Sequence, residues 1–537
     1  MNIPWALKWA GSALLCAATI PFNTAYSSAG DGRHIAQHGG KQAAALACDS
    51  CHGSDGGGNE GAGFPRLAGL DAAYLQRQLH AFRDGTNRNA VMAGVAKALT
   101  EGEIKAVARY YAALAPVSRA QAPAGVSLVA GAALSEYGDW VGRGLPACNQ
   151  CHGPGGQGVG ESFPPLAGQP SSYIANRIAA WQSGQRSTDP LGLMRRVAER
   201  LTDAEVKSVA AYYAALPVTG PKAASPVSID TATPKAHSGG AGGNVSVAQA
   251  GQGGTSGLFQ PLGRNAYPQG PLGEKVREGE AIFRHTNDHP LAGKYVGNRQ
   301  SCENCHLDAG RLANSAPMWA SWVAYPAYRK KNGRVNTMAD RIQGCFKYSM
   351  NAQRSKARKA PSADSDTIIS LMSYFYWLAT GAPSGDRNMA GRGYPRLAET
   401  EQGFDPKRGA AVYARNCALC HAEEGEGRMA HGVVVFPPLW GPESYNWGAG
   451  MHKVDAAAGY IKYNMPLGLA DPVQAQGYLS DQEAWDVAAF MNAHPRPQDP
   501  RYNGSLEETA QRFHESRYDY YGKLRGPNGR LLGQDVP

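Results

Sequence analysis

The chain has 537 residues, 43% hydrophobic and 18% charged, with a formal net charge of +9. That length excludes one small domain and suggests three or four, and the composition is that of a globular protein rather than a disordered or fibrous one. The mild basicity implies no nucleic-acid partner, and no stretch past the leader is long and apolar enough to span a membrane.

In chain order, residues 1–29 carry Lys8, a short apolar core and small residues suited to cleavage, which predicts a signal peptide and export to the periplasm. A lipid anchor on Cys16 is the competing reading, and Leu15 before it fits that processing poorly. Residues 30–120 and 121–217 form an internal repeat, in which ACDSCHGSDGGGNEGAGFPRLAG aligns with ACNQCHGPGGQGVGESFPPLAG. Each copy closes on one helix, LTEGEIKAVARYYAAL and LTDAEVKSVAAYYAAL, and Thr100 with Glu103 and Thr202 with Glu205 predict capping boxes at its start. Residues 218–257 hold Gly, Ala, Ser, Thr and Pro with almost no large apolar side chain, which predicts a flexible linker. Two further units follow, 258–395 and 396–537, and neither copies the first pair. The third leads with GEKVREGEAIFRHTND and closes with TIISLMSYFYWLATG; the fourth closes with LSDQEAWDVAAFMNAH, capped by Ser480 and Glu483. The tail from Pro495 predicts a short helix that wraps the last unit.

Each unit carries one C-x-x-C-H motif, at 48–52, 148–152, 302–306 and 417–421. Two thiols spaced by two residues can bond the two vinyl positions of one haem, and the adjoining histidine then lies under the iron. Disulfides and paired zinc sites are the alternatives, and a histidine directly after all four pairs argues against both. The expectation is four covalently bound haem c groups, on Cys48 and Cys51, Cys148 and Cys151, Cys302 and Cys305, and Cys417 and Cys420, with His52, His152, His306 and His421 as proximal ligands. The expected fold is mainly α, with four class I cytochrome c-like domains, each around one haem. Spacing nominates second ligands: Met92 lies 40 residues after His52, Met194 42 after His152, and Met465 44 after His421. A lone methionine is more often core filler, and the repeated spacing is what favours ligation.

Cys345 is the one unpaired cysteine outside the leader. It lies 39 residues after His306, which nominates it as that haem's second ligand, although Met350, 44 residues after His306, fits the spacing equally. A buried thiol acting as a small hydrophobe is the bland alternative. Against it, the segment from Arg329 to Lys359 carries ten Lys or Arg and one acid, Asp340. Such a field favours the thiolate, which is both nucleophile and metal ligand. A charge run can equally be a solvated face or docking patch.

The first two units, roughly 35–217, resemble the tandem dihaem cytochromes of the c4 type, FPxLAG stretch included. The third and fourth, roughly 258–520, resemble the catalytic polypeptide of dihaem thiosulfate dehydrogenases, on SCENCH, RIQGCFKYSMN and YIKYNMPLG. The resemblance implies a catalytic haem held by His306 and Cys345, a relay haem held by His421 and Met465, and an N-terminal pair that accepts electrons. Some relatives have a lysine that exchanges with the methionine; here that position is Asn464. The implied reaction couples two thiosulfates to tetrathionate, or runs in reverse, and a downstream electron acceptor is implied. Arg341, Arg334 and Ser349 are candidates for the sulfonate oxygens, because guanidinium forks match oxyanions, with Arg311 and Lys331 as weaker ones. A pure electron carrier, or another cysteine-ligated sulfur oxidase, is the rival reading.

Overall fold

The computed structural model of the protein describes residues 28–218, 257–330 and 332–534. Most of the expected leader, nearly all of the expected linker, and Lys331 lie outside the described residues. Helices dominate, and the named strands among the described residues form two short antiparallel hairpins, Ala327–Arg329 with Arg334–Asn336 and Arg428–Ala430 with Val433–Phe436. The mainly α expectation holds.

One motif recurs in every unit: a leading helix, a short turn bearing the C-x-x-C-H motif, and a closing helix that crosses the leading one. The pairs are Ser28–His38 with Glu101–Ala113, Val129–Tyr137 with Asp203–Ala215, Gly270–Arg284 with Asp366–Leu378, and Pro406–Asn416 with Asp481–Asn492. At each crossing a glycine of the leading helix lies against a backbone carbonyl of the closing helix. A Cβ on Gly32 would stand 2.3 Å from the Ala106 oxygen, on Gly131 2.2 Å from Ser208, on Gly279 2.0 Å from Ser370, and on Gly409 2.0 Å from Asp486. No side chain fits there, so the two backbones meet directly. The predicted capping boxes at Thr100, Thr202 and Ser480 are complete, with both reciprocal hydrogen bonds formed.

The first two units meet reciprocally. Glu60 accepts from the amide and hydroxyl of Ser171, while the Glu161 carbonyl accepts from Arg77. Asn87 pairs through one backbone bridge with Arg186, the position that corresponds to it in the second copy. Buried Arg66 and Gln169 exchange hydrogen bonds, Arg66 N to Gln169 Oε1 at 3.0 Å and Gln169 Nε2 to the Arg66 carbonyl at 3.1 Å.

The second unit is also the contact to the C-terminal half. Val159 and Phe163 pack with Ala430 and Phe436 of the fourth unit, and the two phenylalanine rings lie 4.9 Å apart. Trp140 packs with Leu307, Leu312, Leu467 and Val473. Arg284 of the third unit bridges to Glu136 at 2.7 Å. The third and fourth units are joined by buried amides: Asn298 Nδ2 donates to the Ser349 and Ser444 carbonyls at 2.7 and 3.1 Å, and Gln300 Nε2 to Pro438 at 2.7 Å. The tail lies along the fourth unit, with a helix at Leu506–Phe513.

Replacing Gly409 by Ala forces the crossed helices apart and is expected to cost about 1–3 kcal/mol. Gly102→Ala, on an exposed helical position with nothing within 4 Å of the new methyl, is expected to be neutral or stabilising by up to about 1 kcal/mol. Thermal unfolding of the two variants checks the contrast.

Candidate functional site

The four motif histidines share one arrangement. Each ring donates from Nδ1 to a backbone carbonyl: His52 to Pro65 at 2.9 Å, His152 to Pro164 at 2.8 Å, His421 to Pro437 at 2.9 Å and His306 to Ala316 at 2.7 Å. That bond fixes the tautomer and leaves each Nε2 lone pair free for iron. Burial pushes all four imidazoles below their ordinary value, His306 to about 4, so the neutral, ligating form is the one held. None of the motif cysteines is paired in a disulfide. Thiol pairs and oriented imidazoles are the donor set a c-type haem requires, and the chain carries four covalently bound haem c groups.

The third unit departs from the others in its second wall. Helix Met338–Tyr348 opens on a complete capping box between Thr337 and Asp340, which the sequence reading missed. Its Met338, Ile342 and Phe346 are buried at i, i+4 and i+8. Arg341 and Cys345, also four apart, share another face, and Arg341 Nη1 lies 3.2 Å from Cys345 Sγ. The negative charge of a Cys345 thiolate, the largest of the influences on it, holds Arg341 above its ordinary value. Both side chains are half-buried and line a cleft together with Cys302, Cys305, His306 and Ser349. Met350 borders the same cleft but is 4% exposed and belongs to the third unit's apolar core.

Three of the six predicted substrate and nucleophile residues therefore meet: Cys345, Arg341 and Ser349. Arg334 does not join them. It is exposed on the hairpin and paired with Asp340 at 2.7 Å. Arg311 is buried and does not line that cleft; its Nη2 donates to the Leu262 carbonyl and its guanidinium lies over the Trp377 ring at 5.5 Å. Lys331 lies outside the described residues.

Of the methionines, Met92 and Met194 are half-buried and belong to neither apolar cluster of their units. Met465 follows helix Val454–Asn464 and packs against the fourth cluster. Asn464 is 1% exposed and donates to the Tyr460 and Asn314 carbonyls at 3.1 and 3.4 Å. The sequence reading also missed a tyrosine pair. Tyr394 donates to the Cys305 carbonyl and Tyr460 to the Asn304 carbonyl, each at 3.0 Å, and their rings lie 5.0 Å apart. Tyr460 stands inside the YIKYNMPLG stretch already singled out, but its partner is distant in sequence and gave no signal.

Family models match in four places. The SoxA/TsdA cytochrome c domain covers residues 293–383, cytochrome c covers 37–114 and 406–495, and the cbb3-type cytochrome c oxidase subunit III covers 146–212. The thiosulfate dehydrogenase of Stutzerimonas stutzeri (strain A1501) is 48% identical over 290 residues, 54% of this chain and 89% of that protein. The thiosulfate dehydrogenase electron acceptor of Thiomonas intermedia (strain K12) is 50% identical over 182 residues, 34% of this chain and 83% of that one. Among solved structures, the as-isolated thiosulfate dehydrogenase TsdBA from Marichromatium purpuratum is 51% identical, covers 95% of this chain and 100% of its own, and superposes with a TM-score of 0.84.

Replacing Cys302 and Cys305 together by Ser is expected to leave a chain with three covalent haems instead of four. The mass of the intact protein and its pyridine haemochrome content read this directly.

Proposed function

The chain belongs to the thiosulfate dehydrogenase family, with the dihaem enzyme and its dihaem electron acceptor in one polypeptide, and on that footing we propose that it couples two thiosulfates to tetrathionate in the periplasm. The observation that carries the reading is the Arg341–Cys345 pair at 3.2 Å, set in one cleft with His306. A pure electron carrier has no need of a guanidinium held on a thiol beside a haem attachment site. No helix among the described residues is long and apolar enough to cross a membrane.

In this reading His306 and Cys345 hold the third haem and His421 and Met465 the fourth, while His52 with Met92 and His152 with Met194 hold the N-terminal pair. When bound, the haems take up electrons one at a time and relay them. Arg341 offsets the charge of the Cys345 thiolate and of an incoming dianion, which like-charge repulsion would otherwise keep out. Ser349 adds a hydroxyl for a sulfonate oxygen. Cys345 Sγ then bonds the terminal sulfur of the first thiosulfate, with loss of two electrons, giving a cysteine S-thiosulfonate. The second thiosulfate attacks that sulfur–sulfur bond, expels the Cys345 thiolate and leaves as tetrathionate. Asn464 has no amine to offer the iron and its side chain is already bonded, so exchange with Met465 by that route is absent from this scheme.

The onward path is supported by packing. Cys420 and Cys151, one from each of the fourth and second motifs, both pack on the cluster of Val159, Phe163, Ala430 and Phe436. The Tyr394–Tyr460 pair bridges the third motif and the fourth unit. The order is third haem, fourth, second, then first, from which a further acceptor draws.

Two experiments test the scheme. Cys345→Met restores a sulfur ligand without a nucleophile, so the protein is expected to keep four haems and lose thiosulfate turnover; near-wild-type turnover would remove the covalent step. Val159→Asp places a charge in the contact between second and fourth units. It is expected to leave reduction of the third and fourth haems by thiosulfate intact and to slow transfer to the N-terminal pair, read by stopped-flow absorbance.

A further inference from the structure

Behind the cleft lies a second cluster of titratable side chains. His452, Asp499, His514 and Asp519 are buried, none more than 3% exposed. His452 Nε2 lies 2.6 Å from Asp519 Oδ2, and its Nδ1 faces the Ala449 carbonyl. His514 donates from Nδ1 to the same Asp519 oxygen at 2.7 Å and from Nε2 to Asp499 Oδ2 at 3.0 Å. Arg501 closes the row, donating from Nε to Asp499 at 2.9 Å. Ligand atoms of His452, His514 and Asp519 lie within 4.8 Å of one another, as in a metal site. Every ring nitrogen, however, already faces a protein oxygen, so the cluster is complete as a hydrogen-bonded relay.

The relay ends at the cleft. His452 follows Ala449 and Met451, which with Tyr445 line the cleft that holds Cys345. The same loop grips the end of the Cys345 helix. The Asn446 amide donates to the Tyr348 carbonyl at 3.3 Å and its Nδ2 to the Lys347 carbonyl at 3.0 Å. A Cβ on Gly448 would stand 2.3 Å from the Tyr348 ring. From the tail, the Pro497 carbonyl accepts from the Trp447 amide at 3.0 Å, and Arg501 lies over Tyr348 at 5.4 Å.

We propose that the C-terminal tail is a positioning element of the thiosulfate site: Asp499, His514 and Asp519 hold His452, and through it the 445–452 loop, against the helix that carries Cys345. The inference rests on the thiosulfate reading above and adds three tail residues to it. With a carboxylate on each nitrogen, His514 works as an imidazolium. Its surroundings are Asp499 paired with Arg501, Asp519, His452, the Tyr521 ring stacked at 4.2 Å, and Lys523, whose Nζ donates to the His514 carbonyl. Burial alone would depress it, but the two carboxylates outweigh burial and hold it above its ordinary value. Its contribution is therefore complete below about pH 6.5 and is lost as pH rises through the raised value.

The test uses the full-length tetrahaem protein and Asp519→Asn, which keeps the shape and removes the charge. The variant is expected to keep four haems, to raise KM for thiosulfate about tenfold or more, and to exchange amide hydrogens faster in residues 445–452 while helix Glu101–Ala113 is unchanged. Wild-type KM, kcat and loop exchange in the variant, even with a lower Tm, would reduce the tail to a stability element and overturn the proposal. If the variant does not accumulate with four haems, a pH series on the wild type decides. Protection of the loop, corrected for intrinsic exchange, is expected to fall as pH rises above about 6.5, and flat protection overturns the proposal. A wild type unable to turn over thiosulfate would instead sink the functional reading, and the exchange result would stand apart from it.

Discussion

Everything in this molecule hangs on a contact too close for a side chain. Four times over, a leading helix and a closing helix cross with a glycine of one against a carbonyl of the other. Bringing two backbones that close fixes the angle and depth of the crossing, and the C-x-x-C-H turn follows the leading helix, directly in the fourth unit and after a loop in the other three. The imidazole then has one direction to point, and a carbonyl downstream locks it there through Nδ1. Haem attachment is a matter of spacing in the sequence, but haem orientation is a matter of this crossing. The helix crossing and the histidine lock also tolerate wide variation between them, which is why the third unit can replace its second wall without losing its frame.

What was legible in the sequence was mostly what repeats or has a fixed local period. The four motifs, the capping boxes at Thr100, Thr202 and Ser480, and the closing helices are local signals, and each stands where the pattern put it. Cys345 was found because it breaks a pattern, and Arg341 because a guanidinium fork matches an oxyanion; that the two share a helix face came only with the structure. Arg334 and Arg311 failed as cleft residues for the same reason that nominated them. Charge in sequence says nothing about direction, and Asp340 and the Leu262 carbonyl hold those two guanidiniums elsewhere. Tyr394 and the link from the tail to His452 were invisible, since Tyr394 meets Tyr460, and His452 meets Asp519, across more than sixty residues of sequence.

The third unit shows how one fold accommodates a reactive group. Its apolar core takes Met350, the competing sulfur, and buries it, while the helix turns Cys345 toward the cleft with a guanidinium at contact distance. Cys345 stands on that helix four residues from Arg341, whereas Met350 follows the helix and packs into the apolar core at the border of the same cleft.

The reciprocal contact between the first two units has a consequence of its own. Two copies of one fold that meet through matching positions have the geometry of a symmetric dimer, in which any substitution is imposed on both partners at once. Joined in a single chain, they are released from that obligation. The tip that carries Asn59, exposed, in the first copy carries Val159, buried against the fourth unit, in the second. The pair is thereby directional: the second copy's tip faces inward onto the fourth unit, and the first copy's tip is left facing outward.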